Sequence, residues 1–424
     1  MDDEEGGLKP GDNVWMRIFD IMDWSVEVDE PYQFDGTHDK KVSYNRKRMW
    51  NSLIAEYISP SQRDILLASG RFDDEELTPL PDEFIRKIAN KIDGLTDFRK
   101  IDLSESDRDS PFDFDLSGMI FIELVLDNSE INTPLNLDDT FILERLSIQD
   151  CTFSSNISMC RAHIEKLANF RSSEFLGSFN AADSYINTAQ FEYCHFEGKT
   201  NFQSAKISET SFSNANFKSE TNFELAVFSK LAPKFYSTIL HEDTSFQSVS
   251  WPLPISSTKT TDGPGAFIRA YECLRRHMAQ QNKAQQEYVF LRLEMKCRKM
   301  EENFAGAMAL WTYGLISDYG WSFIRPLLGV ALVWVFGSVY FGFSVCGGHE
   351  LGSVDLTNCS ASMMAVSFSN LFSFLGIGRS FLGEELAQLN GSRFSELVGG
   401  IQMVFGPIFL FFILLALRNR FRMK

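Results

Sequence analysis

The chain has 424 residues, 39 of them Phe, with a formal net charge of -17. So many aromatics exclude a disordered polyanion, and the acidic balance excludes an electrostatic nucleic-acid binder, which would need clustered Lys and Arg. Length predicts two or three domains.

The opening "MDDEEGGLKPGDN" is acidic and has no apolar core, so no secretory signal is expected there. Residues 1–115 read as an acidic N-terminal region with short amphipathic helices in "NRKRMWNSLIAEYIS" and "PDEFIRKIANKI". No chemistry is evident there, and both a docking segment and a loose tail fit.

Residues 116–251 repeat. Phe202, Ile207, Phe212 and Phe217 are five apart, then Phe223 and Phe228 follow after one extra residue. Two places before each stands Thr200, Ala205, Thr210, Ala215, Thr221 or Ala226. A longer period appears in Phe153, Phe175, Phe196 and Phe217, spaced 22, 21 and 21. Neither a helix nor a strand has this period. A chain turning a corner every five residues closes a coil in roughly 20, and coils stack at the strand spacing of about 4.8 Å. Large residues at mid-face then point inward, and small ones, including Cys151, Cys160 and Cys194, fill the crowded remainder. Ile122, Ile131, Leu143 and Ile148 extend the pattern upstream. The pattern resembles the pentapeptide-repeat family, which implies a right-handed quadrilateral β-helix.

"PLPISSTKTTDGPG" should end the solenoid, and residues 252–303 form a loop and helical neck. Phe267, Tyr271, Leu274 and Met278 follow helical spacing, as do Val289, Leu293, Cys297 and Met300. One helix or a hairpin should cap the last coil, whose apolar rungs and strand edges would otherwise be bare. Residues 304–325, with Trp311, Tyr313, Tyr319, Trp321 and Arg325, read as a helix along the membrane interface.

Residues 326–424 read as a two-span pore-like domain. "PLLGVALVWVFGSVYFGFSV" (326–345) and "LVGGIQMVFGPIFLFFILLAL" (397–417) each match the ~20 residues that cross a bilayer, and only Gln402 is strongly polar in them. Arg292, Lys296, Arg298, Lys299 and Arg325 precede the first, and Arg418, Arg420, Arg422 and Lys424 follow the second. Both termini are therefore expected in the cytoplasm, with the solenoid inside the cell. Cys346 and Cys359 in the external loop are the candidates for a disulfide.

Between the spans, 363–378 reads as a re-entrant segment that is too short to cross and ends in Gly-Ile-Gly. Its layout resembles the two-helix channels of the potassium-channel superfamily. That resemblance implies a filter of Phe374, Leu375, Gly376, Ile377 and Gly378 followed by Arg379. The family's filter Thr is Phe374 here and the Asp that often follows is Arg379, which puts potassium selectivity in doubt. A greasy loop packed on the spans stays open as the other reading. Gly399, Gly400 and Gly406 are hinge candidates, with helix packing as the alternative.

"EYVFLRLEMKCRK", "WTYGLISDYGWSFIRPL" and "LALRNRFRMK" resemble a bacterial group that joins pentapeptide repeats to two membrane helices. This implies an inner (plasma) membrane protein. His38, His163, His195, His241, His277 and His349 are scattered without metal-ligand spacing, and neither a phosphate loop nor a nucleophile elbow occurs, so no enzyme, cofactor or metal is expected. The sequence therefore predicts a channel-like oligomer, a tetramer above all, that conducts a monovalent ion and has a cytoplasmic arm for an unknown protein partner. The alternative is a membrane-anchored scaffold without conductance.

Overall fold

The computed structural model describes residues 47–74 except Met49, 77–78, 99–102, 114–254, 263–345, 356–373 and 393–421. The chain divides into two compact units, Met1–Leu274 and Arg275–Lys424.

The first unit is a β-solenoid of about five turns. Its strands stack in three parallel sheets, and within each sheet neighbours follow chain order, one coil to the next. In the first sheet Ile164 lies beside Ile186 and Ile186 beside Ile207; in another, Phe153, Phe175 and Phe196 align. The 21- and 22-residue periods are thus coil lengths. The slack is taken up by a bulge: Ile186 pairs with Ile164, 22 residues back, whereas Thr188 pairs with Leu167, 21 back.

Mid-face residues Phe202, Ile207, Phe212, Phe217, Phe223 and Phe228 are all buried, as are the small residues before them. Stacking identical positions puts ring on ring. Phe170, Phe191, Phe212 and Phe235 form one column, with centroids 4.7, 5.1 and 4.9 Å apart. Phe175, Phe196 and Phe217 form a second, at 4.9 and 4.6 Å. The small interior residues also satisfy backbone carbonyls at the corners. Ser173 Oγ donates to Ile148 O and Thr238 Oγ1 to Phe212 O. Cys151 and Cys194 do the same with their thiols, to Leu126 O and Phe170 O. Cys160 departs from the expected interior position: it is half-exposed and accepts from Asn180 Nδ2.

Alternate corners are left-handed. Asp183, Tyr193, Ser204, Asn214 and Leu225 all have φ between 55° and 63°. Asn and Asp tolerate this region; Tyr and Leu are costly there. Outside, ion pairs join residues one coil apart, such as Arg161 with Asp139 and Lys230 with Glu209. Each is exposed and contributes little individually.

Both ends of the solenoid are covered. At the N-terminal end Trp50 is fully buried and its Nε1 donates to Ile120 O at 2.8 Å. Asn51 Oδ1 accepts from Ile120 N, and its Nδ2 donates to Gly118 O. Helix α1 (Pro60–Ala68) begins with a Ser59–Gln62 capping box, and Gln62 reaches Glu144 on the coils. Strand Lys100–Asp102 pairs along Ile120–Val125 and covers that edge of the first sheet. The described residues 50–68 are thus packed on the first coils. The predicted helix in 81–92 lies outside the described residues.

At the other end α2 (Pro264–Gln280) buries Phe267, Tyr271, Leu274 and Met278, as the spacing predicts. Tyr271 Oη donates to Pro252 O, and its ring meets Trp251 edge-on. In α3 (Ala284–Glu301) the buried face is Phe290, Leu293, Glu294 and Cys297, while Val289 and Met300 are exposed. The predicted face is therefore rotated, because Glu294 enters the interior between Arg275 and Arg298, at 2.9 and 2.8 Å. A carboxylate so paired can be buried where an unpaired one cannot.

Phe212→Ala, which breaks a four-ring column, should cost about 3–5 kcal/mol in urea unfolding of the detergent-solubilised chain. Leu225→Asn, which relieves a left-handed Leu that is 53% exposed, should add about 1 kcal/mol. Burial pushes the Cys151 and Cys194 thiols up to about 12. Iodoacetamide at about pH 8 should therefore label Cys160 and spare those two, as read by mass spectrometry.

Candidate functional site

Two helices of the second unit are long and apolar enough to cross a membrane: α5 (Ile324–Val345) and α7 (Arg393–Phe421). At 1.5 Å per residue they span about 33 and 43 Å, against a hydrocarbon core of about 30 Å. Most of their side chains have no protein around them; Leu328, Leu332, Phe336, Val404, Phe411 and Leu414 are all exposed.

A third helix, α6 (Leu356–Leu371), packs between them. Its 16 residues extend only about 24 Å. Met363 and Val366 cluster with Phe341 near the end of α5, and Tyr340 and Val398 flank them. One turn further, Ser367 meets the middle of α5, where its Oγ donates to Trp334 O at 2.8 Å. Leu371, the last residue of α6, lies against Gly406, near the middle of α7.

Gln402 holds this arrangement together. It is 1% exposed, and its Nε2 donates to Ser367 Oγ at 2.8 Å and to Val333 O at 3.1 Å. Its Oε1 accepts from Asn370 Nδ2 at 3.4 Å. Trp334 Nε1 adds a bond to Met364 O at 3.0 Å. One amide thus ties all three helices where little water competes.

Two glycines make room. A Cβ on Gly337 would lie 1.8 Å from Gln402 Nε2. A Cβ on Gly406 would lie 1.9 Å from Leu371 O. At Gly337 the space is taken by the Gln402 and Ser367 side chains, whereas at Gly406 two backbones approach closely, which only glycine permits. Of the hinge candidates, Gly406 is therefore packed tightly, Gly399 makes an ordinary contact with Asn370, and Gly400 faces open space. Pro407 follows directly and removes one helix hydrogen bond at the same level.

Phe374, Leu375, Gly376, Ile377, Gly378 and Arg379 lie outside the described residues, as does Cys346; of Cys359 only the backbone is described. The sequence singled out Gln402 as the lone polar residue of its span but assigned nothing to Ser367 and Asn370. Their spacing of three, which puts both on one helix face, was the available signal.

A second junction lies at Ser317–Gly320, after α4 (Phe304–Ser317). Asp318, Tyr319 and Gly320 are successively left-handed. Tyr288 Oη of α3 donates to Asp318 O, Arg292 and Arg325 flank the Asp318 carboxylate, and Asn419 Nδ2 of α7 donates to Gly320 O. Burial, and then the Asp318 side chain, raise the Tyr288 phenol above its ordinary range.

Among known families, the model for pentapeptide repeats (9 copies) matches residues 186–227. No curated protein and no solved structure matches the chain. The match falls on the coils with the most regular ring columns. A pentapeptide-repeat solenoid is a typically non-enzymatic fold, and no group of His, Cys, Asp and Glu among the described residues could hold a metal ion.

Gly406→Val should lower the melting temperature of the detergent-solubilised chain by several degrees, because Leu371 cannot yield without moving α6. Gly400→Ala, which meets open space, should leave it unchanged. Gln402→Leu should cost about 1–2 kcal/mol in titration with denaturing detergent.

Proposed function

We propose that this chain is one protomer of an oligomeric, ion-conducting membrane protein whose pentapeptide-repeat solenoid is a cytoplasmic docking or sensing arm. One observation carries the reading. Helix α6 enters between two spans and stops at their middle, with Leu371 beside Gly406. The last four carbonyls of a helix have no partner within it, and hydrocarbon supplies none. A helix that ends at mid-depth is stable only where water or other protein receives it. Residues 374–392, which join this end to α7 in the sequence, carry the Gly-Ile-Gly segment.

In this reading Phe374–Gly378 line the narrow part of the path and Arg379 stands at its outer mouth. Two spans and one re-entrant segment cannot enclose a path alone, so the pore forms at the axis of an oligomer, a tetramer by analogy with two-helix channels. The polar node at Gln402 fixes α6, and through it the start of the filter segment. Basic residues beyond both spans favour cytoplasmic termini in an inner membrane. Cys346 and Cys359 would then pair on the outer side, and a monovalent ion would be the cargo.

The scaffold reading needs only the solenoid, whose coil surface would meet the partner, and the two long apolar helices. In that case the spans would only anchor the arm.

Purified protein reconstituted in vesicles separates the two. Conduction predicts a tetramer by native mass spectrometry and a cation flux that Gly376→Ala and Gly378→Ala abolish without loss of assembly. Arg379→Asp should raise cation permeability. A monomer or dimer with no flux would leave the scaffold.

A further inference from the structure

We infer that α4 is an in-plane membrane anchor whose exposed stripe, Phe304, Met308, Trp311 and Leu315, is seated in the headgroup–acyl boundary of the inner leaflet. The partner of this face is a lipid surface rather than protein. The inference rests on the reading of α5 and α7 as membrane spans, but not on conduction.

The stripe is continuous. Its four residues recur at helical spacing and are 84, 43, 48 and 58% exposed. No charged residue occurs between Phe304 and Ser317, so nothing on the helix favours bulk water over lipid. Single exposed apolar residues are ordinary in a soluble protein; a whole helix face of them is not.

The opposite face fixes the roll of the helix. Tyr313 meets Tyr319 edge-on at 5.6 Å and Phe412 of α7 at 5.8 Å. A Cβ on Gly314 would lie 2.8 Å from the Tyr319 ring, so that side is closed. Asp318 caps the C-terminal end in the left-handed conformation, Arg325 donates to Gly314 O in the last turn, and Asn419 donates to Gly320 O just beyond. At the other end Asn303 Oδ1 accepts from Gly306 N. The helix is thus capped at both ends and tied to α5 and α7 through its C-terminal end, with one face in and one face out.

Depth follows from α7. Phe412 precedes Arg418 by six residues, or about 9 Å of helix. Arg420 sits over the Phe323 ring at 5.4 Å, next to the start of α5. If Arg418 and Arg420 mark the headgroups, the contact through Tyr313 places α4 about 9 Å below them. Interfacial helices bury their apolar face to about 5–10 Å. Trp311 stands within the stripe, and indole rings favour that zone.

Trp311 also supplies the probe. The full chain would be placed in phosphatidylcholine nanodiscs whose lipids carry bromine either near the headgroup or near the acyl terminus. The Trp311 emission is the difference between the wild type and Trp311→Phe. Stronger quenching by the shallow bromines is expected. Absence of quenching, or stronger quenching by the deep ones, would overturn the proposal. Met308→Cys tests for a second copy on the same face: efficient intermolecular crosslinking in the same nanodiscs would also overturn it. Quenching requires no flux, so a non-conducting protein with lipid-quenched Trp311 would refute the channel and retain the anchor.

Discussion

A peptide N–H or C=O placed in apolar surroundings without a partner costs several kcal/mol, and both units are built round that constraint. In the solenoid every coil donates to and accepts from its neighbours, as in Thr152 N to Ser129 O and Glu174 N to Cys151 O. Coils can do so only if they have nearly equal length, which is why the five-residue module persists while its surface residues vary. The corners interrupt the ladder, and there the interior Ser, Thr and Cys side chains take over. Their small size and their single donor are both needed.

The same constraint explains the ends. A first coil has no predecessor, so Asn51 supplies both a donor and an acceptor to Gly118 and Ile120, and Lys100–Asp102 adds a strand beside them. The last coil is followed by Trp251 and Tyr271 instead of another rung. In the second unit the same constraint acts on α6, which stops where neither of the two long apolar helices does. Gln402, Ser367 and Asn370 meet at that level; Gly337 leaves room for the Gln402 and Ser367 side chains, and Gly406 lets the α6 backbone approach. Fixing the end of α6 fixes the level at which its last carbonyls emerge.

The repeat was legible because its signal is local and redundant. Phe202 through Phe228 announce inward positions six times over, and all six are buried. The α2 face was legible for the same reason. The α3 face was legible in part: Leu293 and Cys297 are buried as predicted, but Phe290 and Glu294 replace Val289 and Met300, and only the two Arg brought beside it make Glu294 admissible there. Residues 50–68 carried no repeat, so their role as a lid on the first coil could not be read from spacing. Gln402 could be noticed as the exception in an apolar run, but Ser367 and Asn370 looked like ordinary polar interruptions.

The sequence by itself determined what is periodic or compositional: a coil of 21 or 22 residues, two apolar spans, a polar exception at Gln402 and an uncharged helix before the first span. These depend on which residues recur, and recurrence is visible along a chain. Tertiary structure alone decided which distant groups share a space: the Gln402 amide with Ser367 and Asn370, Leu371 against Gly406, and Asn419 with the turn at Gly320. Each of those contacts joins residues from different helices at one level, and their sequence separation carries no trace of it. Packing sets that level, and the hydrogen bonds then hold it.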